Sequence, residues 1–106
     1  MFNVVFDEVV KIKLEKSISK SEFRDIIKQW LDKLEDQGPA AGKLLDNHIW
    51  LYELKNKHPP LRLYFHHHKS TNKIIIFEIE MKTSKQKQQG TITRLFKKSS
   101  KFLGLF

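Results

Sequence analysis

The chain has 106 residues, 40% of them hydrophobic, with 20 Lys and Arg against 12 Asp and Glu for a formal charge of +8, and it has no cysteine. This length supports one small domain, residues 1–106, with a single core, and the lack of Cys excludes a disulfide framework or a thiolate metal site. No apolar run approaches a membrane span and the start MFNVVFDEVV lacks a signal-peptide layout, so a cytoplasmic location and no membrane partner are expected by elimination.

The first element in chain order is a short strand over residues 2–6 (FNVVF). Beyond it, Val10, Ile12 and Leu14 alternate with charged residues, as in a strand. Val10, Leu14 and Ile18 are also four apart, as in a helix, and periodicity does not decide between the two. Ser19 or Ser21 then has the character of a helix N-cap, and Ser19 with Glu22 fits a capping box. Phe23, Ile26, Ile27, Trp30, Leu31 and Leu34 form one apolar stripe on the helix that follows, suited to lying on a sheet. Gly38-Pro39 ends it, and residues 40–45 are expected to add a short helical turn.

Three strands follow: residues 49–55 (IWLYELK), 61–67 (LRLYFHH) and 73–81 (KIIIFEIEM), rich in β-branched and aromatic side chains and separated by turn-like segments. The period of two sets Leu61, Leu63 and Phe65 on one face of the second strand and Arg62, Tyr64 and His66 on the other. The first strand divides into Trp50, Tyr52 and Leu54 against Leu51, Glu53 and Lys55. One face is therefore apolar and expected to be covered, and the other is basic and aromatic and expected to be displayed. After Met81 the chain turns polar and basic as far as Gly90. Residues 91–106 then place Ile92, Leu95, Phe96, Phe102, Leu103 and Phe106 on one helical face, with Arg94, Lys97, Lys98 and Lys101 around the axis. The expected class is α+β, with helix packed on one face of an antiparallel sheet and a basic C-terminal helical segment.

Charge follows this division. Residues 1–54 carry a balance of −2 and residues 55–106 a balance of +10. A basic half of this kind favours a polyanionic partner, nucleic acid or an anionic surface. Lys55, Lys57, His58 and Arg62 flank the connection at Pro59-Pro60, and Lys82, Lys85 and Lys87 lie just past the third strand. Gathered on one sheet face, such cations hold phosphate oxygens, Arg best because its planar fork meets two oxygens at once. Tyr64 and His66 suit stacking on unpaired bases. Of the run His66-His67-His68, only His66 and His68 share a strand face, and no Asp, Glu or Cys is placed to complete a metal site. Glu78 and Glu80 share a face and read as balancing the Lys residues of the neighbouring strand.

In order and spacing, "LEDQG", "LLDNHIWLYELK", "LRLYF" and "KIIIFEIEMKTSKQK" resemble the RelE/ParE superfamily of toxins from type II toxin–antitoxin pairs, and within it the HigB-like branch. The resemblance implies a RelE-like, four-stranded antiparallel sheet under N-terminal helices. It also implies cytoplasmic, ribosome-dependent mRNA cleavage that inhibits translation, with a cognate antitoxin, the ribosome and mRNA as partners. Arg62 matches the phosphate-contacting Arg of that family, Lys55 and Lys57 match the basic positions before it, and Lys82 and Lys85 match the basic loop after the last strand. The implied endoribonuclease chemistry needs no metal or other cofactor: a 2′-hydroxyl deprotonated by a Lys or His attacks the adjacent phosphate while Arg62 stabilises the developing charge. Tyr64, His58, His66 and Lys87 are the RNA-binding candidates. Where some members carry a catalytic Tyr after the last strand, this chain has Gln88, Gln89 and Gly90. The alternatives are a ParE-like inhibitor of DNA gyrase without nuclease activity, and a non-catalytic RNA- or membrane-binding module.

Overall fold

The computed structural model describes residues 1–8, 10–12, 21–58 and 60–81. Strand β1 is Asn3–Phe6, and Glu8 and Val10–Ile12 are helical, so the ambiguous stretch resolves as helix where it is described. Val10 is buried in the core by this turn. Helix α1 runs from Ser21 to Gln37. The proposed Ser19 cap lies outside the described residues.

The stripe predicted for α1 is the face it buries. Phe23, Ile27, Trp30 and Leu34 are buried and Ile26 and Leu31 partly so, against Leu54, Leu63, Phe65, Ile74 and Ile76 of the sheet. Each such side chain contributes on the order of 1.5–3 kcal/mol of hydrophobic stabilisation. Gly38 ends α1 with φ +59°, a left-handed conformation that needs no Cβ, and the ring of Phe2 fills the space a Cβ would occupy. The N–H of Phe2 also donates to the carbonyl of Glu35 at 2.9 Å, tying the start of β1 to the last turn of α1.

A single 3-10 turn, Gly38–Ala41, follows α1, so the short helical turn expected over residues 40–45 covers only Ala40 and Ala41. Lys43–Asp46 is instead strand β2, paired antiparallel with β3, Leu51–Asn56. Gly42 permits this change of direction, because a Cβ there would stand 2.8 Å from the Phe65 ring and 2.9 Å from the Glu53 carbonyl. Asp46 then builds the turn into β3, its carboxylate accepting from the N–H groups of His48 at 2.8 Å and Ile49 at 3.4 Å. Trp50 completes that turn at φ 49°, an uncommon conformation for a bulky residue, with the Lys69 ammonium 3.3 Å above its ring.

Strands β4, Leu61–His68, and β5, Lys73–Met81, complete a five-stranded sheet of order β1-β5-β4-β3-β2. The sheet is mixed: β1 runs parallel to β5 and the other pairs are antiparallel, which corrects the four-stranded antiparallel expectation. β1 and β5 are neighbours although they are the first and last strands in the chain, and α1 lies in the connection from β1 at one edge to β2 at the other.

Strand β5 carries a bulge. Tyr64 faces Glu78 while Phe65 faces Ile76, so Phe77 is the extra residue of the bulge. Phe77 and Glu78 therefore share a face, and strict alternation changes phase between them. As a result Ile74, Ile76 and Ile79 all pack toward α1, while Ile75 and Phe77 join Ile49, Leu51 and Tyr64 in a second apolar cluster on the opposite side.

Candidate functional site

The face of β3, β4 and β5 turned away from α1 is laid out in three rows. Leu51, His66 and Ile75 form one; Glu53, Tyr64 and Glu78 the next; Lys55, Arg62 and Glu80 the last. Polarity rises from the first row to the third, and the exposed Lys57 and His58 lie beyond it in the turn to β4.

Arg62 sits on this face as its alternation predicts, away from the leucines of β4, and Lys55 is its direct neighbour on β3. Adjacent cations repel, and carboxylates compensate. Glu80 is opposite Arg62 on β5, and Glu53 Oε2 lies 3.6 Å from Arg62 Nε. The Arg62 side chain is 13% exposed and that of Glu53 4%. Arg62 Nε is buried and makes no hydrogen bond. Lys55 is exposed.

Tyr64 is fully buried, and its hydroxyl donates to Glu80 Oε1 at 2.9 Å. Burial raises the phenol pKa far above its ordinary 10, the bond to Glu80 adds to the rise, and Arg62 opposes it only in part. His66 is 2% exposed. Its Nδ1 contacts the Ile49 carbonyl, so Nδ1 carries the proton, and Nε2 is buried with no hydrogen bond. Burial is the main reason its pKa falls below the usual 6.5, with the neighbouring His68 and His67 adding to the fall and the Ile49 carbonyl opposing it. The ring stacks on Phe77 at 5.9 Å and meets His68 edge-on at 6.1 Å.

These placements correct three expectations. The face opposite α1 is not an open basic surface: its first two rows are buried, and the two cations of its last row stand among three buried carboxylates, Glu53, Glu78 and Glu80. Tyr64 and His66 present no ring surface on which a base could stack, because each is closed in by packing and committed to a partner within the sheet. Glu78 and Glu80 face Tyr64 and Arg62, not lysines. Glu53, 3.6 Å from Arg62, is a residue to which alternation and spacing assigned no role. Its signal was its place on the same face as Lys55, one row from Arg62 once the hairpin register is known. Lys82, Lys85, Lys87 and residues 91–106 lie outside the described residues. Among the described residues no group of three or more His, Asp or Glu is arranged to hold a metal ion, and no helix is long and apolar enough to cross a membrane.

Chemically, the accessible part of this face is its last row and the turn beside it. Arg62 offers a guanidinium at the rim, flanked by Lys55 with Lys57 and His58 in the adjoining turn. That set can hold an oxyanion.

No protein-family model matches the chain, and no curated protein sequence matches it. Its backbone is similar to solved structures. The isolated E. coli RelE toxin superposes with a TM-score of 0.63 over 90% of this chain and 99% of that one, at 16% identity. A doubly substituted E. coli RelE bound to a peptide of the antitoxin RelB gives 0.67 over 85% and 93%, at 14% identity. The intact E. coli RelBE toxin–antitoxin complex gives 0.61 over 79% and 100%, at 17% identity. The chain thus has a RelE-like fold.

Proposed function

We propose that this RelE-like chain is the toxin of a type II toxin–antitoxin pair and cleaves mRNA on the ribosome, without a metal or other cofactor. The observation that carries the reading is the position of Arg62: on the central strand of a RelE-like sheet, on the face away from α1, at its rim and in register with Lys55. In this reading Arg62 stabilises the charge that develops on the phosphate oxygens as the 2′-hydroxyl attacks. Lys55 and Lys57 hold the neighbouring backbone, and Lys82 and Lys85, which follow β5 in the sequence, complete the set of catalytic cations. His58 and Lys87 are the further RNA contacts. The base that takes the 2′-hydroxyl proton is His58 or a Lys, since Tyr64 and His66 are buried. A site with so little acid–base equipment depends on its partner to position the substrate, which fits a requirement for the ribosome. A cognate antitoxin, as for the E. coli RelE structures solved with RelB, holds the protein inactive in the cytoplasm.

One observation favours a second reading, a ParE-like inhibitor of DNA gyrase without nuclease chemistry: Arg62 is already compensated by Glu53 and faces Glu80. Expressing the chain and following both nucleic acids separates the two. Codon-phased mRNA cuts that vanish with Arg62→Ala support the nuclease. Intact mRNA with gyrase-linked DNA breaks supports the inhibitor.

A further inference from the structure

We propose that the end of the sheet remote from Arg62 binds single-stranded RNA, with the Trp50 indole stacking on an unpaired base while Lys69 and Lys73 hold the phosphates beside it. The site stands apart from the reaction assigned to Arg62: His68, at this end of β4, is six residues from Arg62, about 20 Å along a strand. The choice of RNA over DNA rests on the proposed action on mRNA.

Positive charge gathers at this end. Residues 66–77 include three His and two Lys and no Asp or Glu. Asp46 is the one acid in residues 46–52, and its carboxylate is committed to the N–H groups of His48 and Ile49. Lys69 and Lys73 are exposed, and Lys73 is the ladder partner of His68. The turn between them is pinned by β4: His68 Nδ1 hydrogen-bonds Thr71 Oγ1 at 2.7 Å, and His67 Nε2 hydrogen-bonds Asn72 Oδ1 at 3.2 Å. The two cations therefore stand on an ordered hairpin tip, one on each side of it, and draw a polyanion.

Trp50 supplies the aromatic surface. It is half-buried at the turn into β3, at φ 49°, a conformation that a bulky residue keeps only where its surroundings impose it. Its carbonyl accepts from the His67 N–H at 3.2 Å, which fixes the turn against β4. The Lys69 ammonium lies 3.3 Å from the ring centroid, so one face of the indole is covered by a long, exposed side chain. A cation over an exposed ring is a weaker contact than a base stacked on it. A base can take that place, and the released ammonium then meets the adjoining phosphate. The ligand must join a flat unsaturated ring to an anionic backbone and leave the ring free to stack. A single nucleic-acid strand does this, whereas the bases of a duplex are already stacked.

The test is a titration of the full chain in an Arg62→Ala background, which keeps binding at the far end from masking this one. The probe is a single-stranded oligoadenylate RNA, with affinity read by calorimetry over a range of salt and the ring by indole emission. Trp30, the other tryptophan, is buried against the sheet, so a change in emission reports Trp50. RNA should quench it. Trp50→Asn removes the ring, and Asn tolerates positive φ; this variant should bind roughly tenfold more weakly with its salt dependence unchanged. Lys69→Gln and Lys73→Gln should each lower the salt slope by about one and keep the quench. Polyphosphate, with charge but no bases, should bind equally with and without the Trp50 ring. The proposal is overturned by no quench, by an unchanged RNA affinity in a folded Trp50→Asn, or by a matching loss with polyphosphate. Tighter binding of the same sequence as DNA, or insertion of the ring into phosphatidylserine vesicles without a response to RNA, would also overturn it. A translation assay on the parent chain keeps the two claims apart. Quenching without mRNA cleavage sinks the nuclease reading and leaves the RNA site standing, whereas cleavage without quenching does the reverse.

Discussion

Tyr64 and Glu80 hold each other across β4 and β5, the phenol donating to Oε1 at 2.9 Å with no part of the Tyr64 residue exposed. The pair joins the buried middle row of the face to the row that carries Arg62, so the rim of the site is anchored from within. Tyr64→Phe removes one donor from a buried carboxylate and should destabilise the fold by about 1–3 kcal/mol in urea unfolding. The same pair makes an alkaline prediction. The native phenol ionises well above the ordinary 10, and the unfolded one near it. The native state then keeps a proton that the unfolded state releases, and stability falls as pH climbs past about 10. Tyr64→Phe should decline less steeply than the wild type over that range.

His66 gives the acid counterpart. Its native pKa lies below 6.5 because the ring is buried between Phe77, His68 and the Ile49 carbonyl. The unfolded state takes up its proton first, so the full stability is present above the ordinary value and is lost as pH falls through it toward the native one. Urea midpoints measured between pH 7.5 and 5 should drop for the wild type. The drop should shrink in His66→Gln, measured against that variant's own stability at pH 7.5. An equal drop in both would place the pH sensitivity elsewhere.

Gly38 is a test of the packing between β1 and α1. A side chain there must adopt φ near +59° and meet the Phe2 ring. Gly38→Ala should cost about 1–3 kcal/mol. Combining it with Phe2→Ala should cost less than the sum of the two single changes, since the second removes the clash introduced by the first.

Much of the fold was legible from spacing. The α1 stripe, its stop at Gly38 and the last three strands needed only the periods of 3.6 and 2 and the turn residues between them. β2 was not legible, because KLLD is too short to show alternation and its strand state comes from pairing with β3. The parallel edge was hidden for a related reason: FNVVF reads as a strand, but nothing local names its neighbour. At the site, Arg62 and Lys55 were placed on one face by alternation, whereas the burial of Tyr64 and His66 was not. Period two assigns a side chain to a face and says nothing of what covers that face. The bulge at Phe77 shows the same limit, since strict alternation through KIIIFEIEM sets Ile76 with Glu78 and Phe77 with Ile79, and the sheet separates both pairs.

The proposed role of Arg62 is phosphate chemistry on translated mRNA. Primer extension on an mRNA translated in a reconstituted system with the purified chain tests it most directly. The wild type should produce cuts in phase with the codons, only with ribosomes present. Arg62→Ala, with an unchanged urea midpoint, should reduce them by 100-fold or more, about 2.7 kcal/mol or more of lost transition-state stabilisation. Undiminished cutting by a folded Arg62→Ala, or no cutting by the wild type under translation, would contradict the account.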